Sequence, residues 1–130
     1  VNFTIDPTWD VLVMDDTDDR LRWFKQRMPY ATTVKTADEA IKALNTRRFR
    51  VLFLDHDLHW MHADNSIVKG TGKEVALYLK KAGFEGIVVI HSRHVEAAAV
   101  MAKILPTAKV APYGDFEISS PLRAASLNSR

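Results

Sequence analysis

Three uninterrupted apolar runs punctuate the chain: Val11–Met14 (VLVM), Val51–Leu54 (VLFL) and Ile87–Ile90 (IVVI). None alternates with polar residues, so each predicts a strand buried on both faces, as at the centre of a parallel sheet. Weaker runs at residues 31–34 and 109–111 predict two more strands. Between them the spacing becomes helical. Residues 18–28 place Leu21, Phe24 and Met28 on one side and stop at Pro29. Thr36 and Glu39 form a capping box that opens a helix to about residue 45, with Ala40, Ile41 and Leu44 inward. Thr71 and Glu74 make a second box, and Gly83 ends the helix it starts. Residues 95–105 form a fourth helix, stopped by Pro106.

Five strands therefore alternate with four helices. Right-handed crossovers turn that alternation into a five-stranded parallel sheet with helices on both faces, a three-layer α/β fold of strand order 2-1-3-4-5. The chain, residues 1–130, reads as one domain. Residues 1–10 are a lead-in in which Pro7 stops any helix. Residues 114–130 (GDFEISSPLRAASLNSR) have little periodicity and read as a weakly structured tail, at most with a short helix.

Composition narrows the chemistry. The 130 residues are 47% apolar, enough for a core and too few for two ordinary domains. Cysteine is absent, so a metal would have to be held by carboxylate, imidazole or carbonyl groups. A formal net charge of +2 tolerates a phosphate-bearing ligand without arguing for nucleic-acid binding. No apolar run reaches membrane-spanning length and the start shows no signal-peptide pattern, so the expectation is a soluble cytoplasmic protein with no membrane partner.

The polar residues at the strand ends carry the functional signal. In an open α/β sheet of this order, strands one and three flank the switch point, and ligands bind beyond their carboxyl ends. Asp15 and Asp16 follow strand one; Asp55, His56 and Asp57 follow strand three; His91, Ser92, Arg93 and His94 follow strand four. Asp15, Asp16 and Asp55 would repel one another in one crevice unless a cation joined them, and a hard ion, Mg²⁺ or Mn²⁺, suits an all-oxygen set.

Adjacent residues of an extended chain face opposite ways, so His56 either enters the crevice or orients a carboxylate from behind. His91 and His94 are either acid-base groups or a packed residue and an exposed one. Ser92 is either an N-cap or, with Arg93, part of a phosphate site at a helix start. Arg20 reaches a phosphate or pairs with an acid such as Asp16. His59 and His62 lie in a long loop, residues 56–70, where they extend the site, join a softer metal such as Zn²⁺ or Ni²⁺, or are solvated. Trp60 is a lid or an anchor. Arg47, Arg48 and Arg50, before strand three, read as a solvated face. Thr71-Gly72-Lys73 lacks the spacing of a phosphate loop.

The motifs VLVMDD and VLFLD, at the ends of strands one and three, resemble the response-regulator receiver domain (a flavodoxin-like sheet) over about residues 10–112. There an acidic pair follows strand one and a phosphoacceptor Asp ends strand three. The resemblance implies that Asp55 could be phosphorylated, with Ser92 as the strand-four hydroxyl. It departs after strand five, where receivers carry Lys before Pro and this chain has Ala111-Pro112; Lys109 lies two residues earlier. LDHDL, TGKEVALYL and HSRH together are more similar to the cyclic-phosphate-processing receiver group of phages and bacterial conflict or RNA-repair settings. The matching residues are Asp15, Asp16, Arg20, Asp55, His56, Asp57, His91, Ser92 and His94.

That resemblance implies a metal-dependent phosphoesterase acting on a cyclic nucleotide or an RNA end bearing a 2′,3′-cyclic phosphate. Its catalytic groups would be Asp55, His56, His91 and His94. Ser92, Arg93 and Arg20 would bind phosphate, and Asp15, Asp16 and Asp55 would bind the metal. A signalling receiver and a non-catalytic binder of a nucleotide signal are the alternatives.

Overall fold

The computed structural model describes residues 4–6, 8–55, 72–91, 95–111 and 117–118. Seven strands and four helices follow in the order β1 (Thr4–Ile5), β2 (Val11–Met14), α1 (Asp18–Arg27), β3 (Thr32–Val34), α2 (Ala37–Thr46), β4 (Val51–Leu54), α3 (Gly72–Ala82), β5 (Ile87–Ile90), α4 (Val95–Ile104), β6 (Lys109–Val110) and β7 (Glu117–Ile118). The main sheet has the order β3-β2-β4-β5-β6, all parallel. Counted from β2 this is the expected 2-1-3-4-5. No helix among the described residues is long and apolar enough to cross a membrane.

Every residue of β2 and β4 is buried, because both faces of these strands are covered. Alternation divides their side chains. Leu12, Met14, Leu52, Leu54, Val88 and Ile90 join one core with Ala37 and Ala40 of α2, Val75 and Leu79 of α3, and Met101 of α4. Val11, Val13, Val51, Phe53 and Val89 join the other with Leu21 and Phe24 of α1. Each such aliphatic or aromatic side chain contributes about 1.5–3 kcal/mol when fully buried.

The helix ends follow their residues. Thr36 Oγ1 accepts from the Glu39 N–H at 3.1 Å, while the Glu39 carboxylate accepts from the Lys35 N–H at 3.3 Å. Gly83, at φ 69°, ends α3 in a left-handed turn: its N–H donates to Lys80 O and the Phe84 N–H donates to Leu79 O. The Thr71 half of the other expected box lies outside the described residues, as do Pro7, the loop at 56–70 and Pro112.

Two features differ from the expectation. The lead-in and the tail each supply a strand: β1 and β7 pair in parallel, Thr4 with Glu117 and Ile5 with Ile118, and Ile5 is buried in the α1-side core. The rest of the 114–130 tail lies outside the described residues. The arginines before β4 are exposed but engaged: Arg47 pairs with Asp10 at 2.6 Å, and Arg50 lies over the Trp9 ring at 4.3 Å. Arg48 has no such partner among the described residues.

Candidate functional site

One backbone relation repeats along the carboxyl edge of the sheet. The residue after each strand donates its N–H to the last carbonyl of the neighbouring strand: Asp15 to Val34, Asp55 to Met14, His91 to Leu54 and Ala111 to Ile90, at 3.0–3.1 Å. Asp15, Asp55, His91 and Ala111 therefore stand in one row. They also share parity with Val13, Phe53 and Val89, which places them on the α1 face.

Within that row, Asp15, Asp55 and His91 form a group whose ligand-type atoms all lie within 4.8 Å of one another, and all three are buried. His91 Nε2 lies 3.0 Å from Asp15 Oδ2. The Thr17 N–H donates to Asp15 Oδ1 at 2.8 Å, an Asx turn that bends the chain into α1. One turn into that helix, Arg20 brings Nε to 3.1 Å from Asp15 Oδ2 and Nη2 to 3.5 Å from Asp55 Oδ2. It also donates to Thr17 Oγ1 at 2.8 Å.

The His91 ring is fully buried, 5.3 Å from Phe24 and 6.2 Å from Phe53 between ring centres. Burial pushes its pKa below the ordinary 6.5; the hydrogen bond and charge of Asp15 pull the other way, and Arg20 adds to the lowering. A neutral ring that donates from Nε2–H to the Asp15 carboxylate leaves Nδ1 with its lone pair, and Nδ1 has no hydrogen-bond partner among the described residues.

This arrangement revises one expectation and decides between the alternatives for two residues. Asp16 is half-exposed and touches Arg20 only at 3.8 Å, because its side chain has the opposite parity to Asp15; His91, not Asp16, completes the group around Asp15 and Asp55. Arg20 pairs chiefly with Asp15 and Asp55. Of the two alternatives for His91 the structure has the packed one: the ring lies between Asp15 and the aromatic core. Thr17, which the sequence reading did not single out, contacts both Asp15 and Arg20; the signal was its place at an N-cap directly after the acidic pair. His56, Asp57, His59, Trp60, His62, Ser92, Arg93 and His94 lie outside the described residues.

The lysine that receivers carry after the fifth strand has no counterpart at that point. Ala111 is buried in the α1-side core, and Lys109 is an exposed residue of β6. Among the described residues, a cation reaches Asp55 from α1, as Arg20.

A five-stranded parallel sheet of this order, with two buried carboxylates side by side at its switch point, defines a receiver-type domain. The chain matches the family described as the cyclic-phosphate processing receiver domain over residues 11–107, and it belongs to that family. Among solved structures it is similar to the receiver domain of NtrX from Brucella abortus, at 25% identity and a TM-score of 0.61 over 92% of each chain. It is also similar to the receiver domain of the Francisella response regulator 1452, at 21% identity and 0.59, over 92% of this chain and 90% of that one. A third is the response regulator TrrA of Thermotoga maritima in complex with Mg²⁺ and BeF, at 15% identity and 0.60, over 94% and 95%. A search of the curated proteins gave no match.

Proposed function

We propose that this receiver domain is a metal-dependent phosphoesterase that hydrolyses a cyclic phosphate, either a cyclic nucleotide or a 2′,3′-cyclic phosphate at an RNA end. The observation that carries the reading is the buried group Asp15, Asp55 and His91, in a chain that belongs to the cyclic-phosphate processing family and has Ala111 in the place of the receiver lysine.

The donor set fits a hard divalent ion. Two buried carboxylates present oxygens close together, and Mg²⁺ or Mn²⁺ prefers oxygen ligands. Asp15 and Asp55 would hold it, with His91 orienting Asp15 through Nε2. When bound, such an ion neutralises charge on a phosphoryl oxygen and acidifies a water.

The remaining work falls to the chain. Opening the ring forms one bond from water oxygen to phosphorus and breaks one to the ribose oxygen, so the departing alkoxide needs a proton. A neutral, buried His91 is poorly placed to give it. His56, directly after Asp55 in sequence, and His94, three residues after His91, are the candidates, since an imidazole titrates near pH 6.5. Ser92 and Arg93 offer hydrogen-bond donors for the phosphate. The test is a panel of 2′,3′- and 3′,5′-cyclic nucleotides and a cyclic-phosphate-ended RNA, incubated with Mg²⁺, Mn²⁺ or EDTA and resolved by chromatography. Ion-dependent opening of one member, lost in Asp55→Asn, supports the reading. Tight binding without turnover would make the protein a binder instead.

A second reading is a phosphoacceptor receiver with Asp55 modified. It is favoured by the position of Asp55 beside Asp15 and by the receiver fold, one relative of which is described in complex with Mg²⁺ and BeF.

A further inference from the structure

Asp15 sits among polar groups. The Thr17 N–H donates to Oδ1 and His91 Nε2 lies 3.0 Å from Oδ2, while Arg20 Nε stands 3.1 Å from the same oxygen as an ion pair that is not aligned as a hydrogen bond. The same guanidinium reaches Asp55 Oδ2 through Nη2 at 3.5 Å. Arg20 thus spans the two carboxylates that could hold an ion, with His91 beside them. Its side chain is only 16% exposed, and a guanidinium does not lose its charge. Two buried acids side by side are costly to leave uncompensated, and here a cation carried by α1 already compensates them.

An ion bound to one oxygen from each of Asp15 and Asp55, at the roughly 2.0–2.1 Å that Mg²⁺ demands, would lie in the space the guanidinium spans. Two positive groups at such range in a poorly solvated site repel strongly. We infer that Arg20 and a divalent ion are alternative occupants of the Asp15–Asp55 pair. The arginine holds the carboxylates in the ion-free protein, and ion binding releases its head group from them. The inference rests on the metal reading above and describes how this chain regulates that site. An arginine that stayed on both acids would also repel the ion, so release of the head group is read separately: reaction of Arg20 with phenylglyoxal, followed by mass spectrometry, should speed up when Mg²⁺ binds, and an unchanged rate overturns the release.

The experiment titrates Mn²⁺ into the full chain and counts the unbound ion by electron paramagnetic resonance, for wild type, Arg20→Gln, Arg20→Lys and Asp55→Asn. Thermal melting is followed alongside. Arg20→Gln is expected to bind Mn²⁺ roughly five- to tenfold more tightly, the equivalent of one modest ion pair removed from competition. Without ion it should melt below wild type, and the gap should close as Mn²⁺ saturates. Arg20→Lys keeps the charge but has one nitrogen and cannot bridge both acids, so its affinity should lie between the two; it also serves if Arg20→Gln does not fold. Equal or weaker binding in a folded Arg20 variant, with binding abolished by Asp55→Asn, overturns the inference and leaves the metal reading standing. Absence of Mn²⁺ binding in folded wild type and variants alike overturns both.

Discussion

His91 Nε2 meets Asp15 Oδ2 at 3.0 Å, across a sheet in which β4 runs between the strands that carry them. The contact joins residues 76 apart in sequence and gives a buried imidazole its polar partner. It makes His91 a positioning residue for a carboxylate, and its loss should be felt first in stability.

His91→Ala is expected to cost about 2–4 kcal/mol, from the cavity beside Phe24 and Phe53 and from the donor lost to Asp15. Urea unfolding followed by circular dichroism measures it. A change below about 0.5 kcal/mol, the range of an ordinary surface substitution, would contradict the packing of this ring.

The layers were legible because apolar runs of four can only be buried strands here, and because Thr36, Glu39 and Gly83 punctuate the helices in sequence as they do in space. Placement of Asp15 and Asp55 followed from the strand order. The partner of His91 did not, since a histidine at a strand end is as consistent with a wet rim as with a core. What decides is parity: residue 91 shares a face with Val89, and that face packs under α1. Asp16 follows the same rule: next to Asp15 along the chain, it faces the other way and is half-exposed. The β1–β7 pair was not legible because two-residue strands carry no periodicity, and their pairing is set by chain ends brought together in the folded domain.

Stability should depend on pH through His91. Its folded pKa lies below 6.5, chiefly from burial, with Asp15, Asp55 and Arg20 as the charged neighbours. The unfolded chain therefore binds more protons below about pH 6.5, so stability is full above that value and falls as pH drops through the folded pKa. The slope from this one group is at most about 1.4 kcal/mol per pH unit. Urea midpoints at pH 7.5, 6.5 and 5.5 in EDTA should fall more steeply for wild type than for His91→Asn, which keeps a donor and does not titrate. Parallel slopes would remove His91 as the source.

The two acids after β2 should differ. Asp15 is buried among His91, Thr17 and Arg20, whereas Asp16 is half-exposed. A saturating divalent ion should raise the melting temperature of wild type, with about 2.7 kcal/mol gained at one hundred times the dissociation constant. Asp15→Asn should lose most of that gain, and Asp16→Asn should keep most of it and unfold within about 0.5 kcal/mol of wild type. Equal losses would restore Asp16 to the ligand set.

Ala111 bears on the choice between hydrolysis and signalling. Its N–H is fixed on Ile90 O and its methyl group is buried, so the row Asp15, Asp55, His91 ends in a side chain that cannot reach a phosphoryl group. Lys109 sits two residues earlier in β6, with its side chain exposed. Arg20 neutralises Asp55 from α1, so the charge beside this acid is carried by a helix and not by residue 111, where receivers place their lysine. The expected result of incubation with acetyl phosphate and Mg²⁺ is therefore no lasting adduct by intact mass, and no change in oligomeric state by light scattering. A persistent gain of one phosphoryl group, absent in Asp55→Ala and accompanied by a change in assembly, would make the phosphoacceptor reading the better one. A switch that then ran through Arg20 would be uncoupled from assembly by Arg20→Gln, with the adduct left in place.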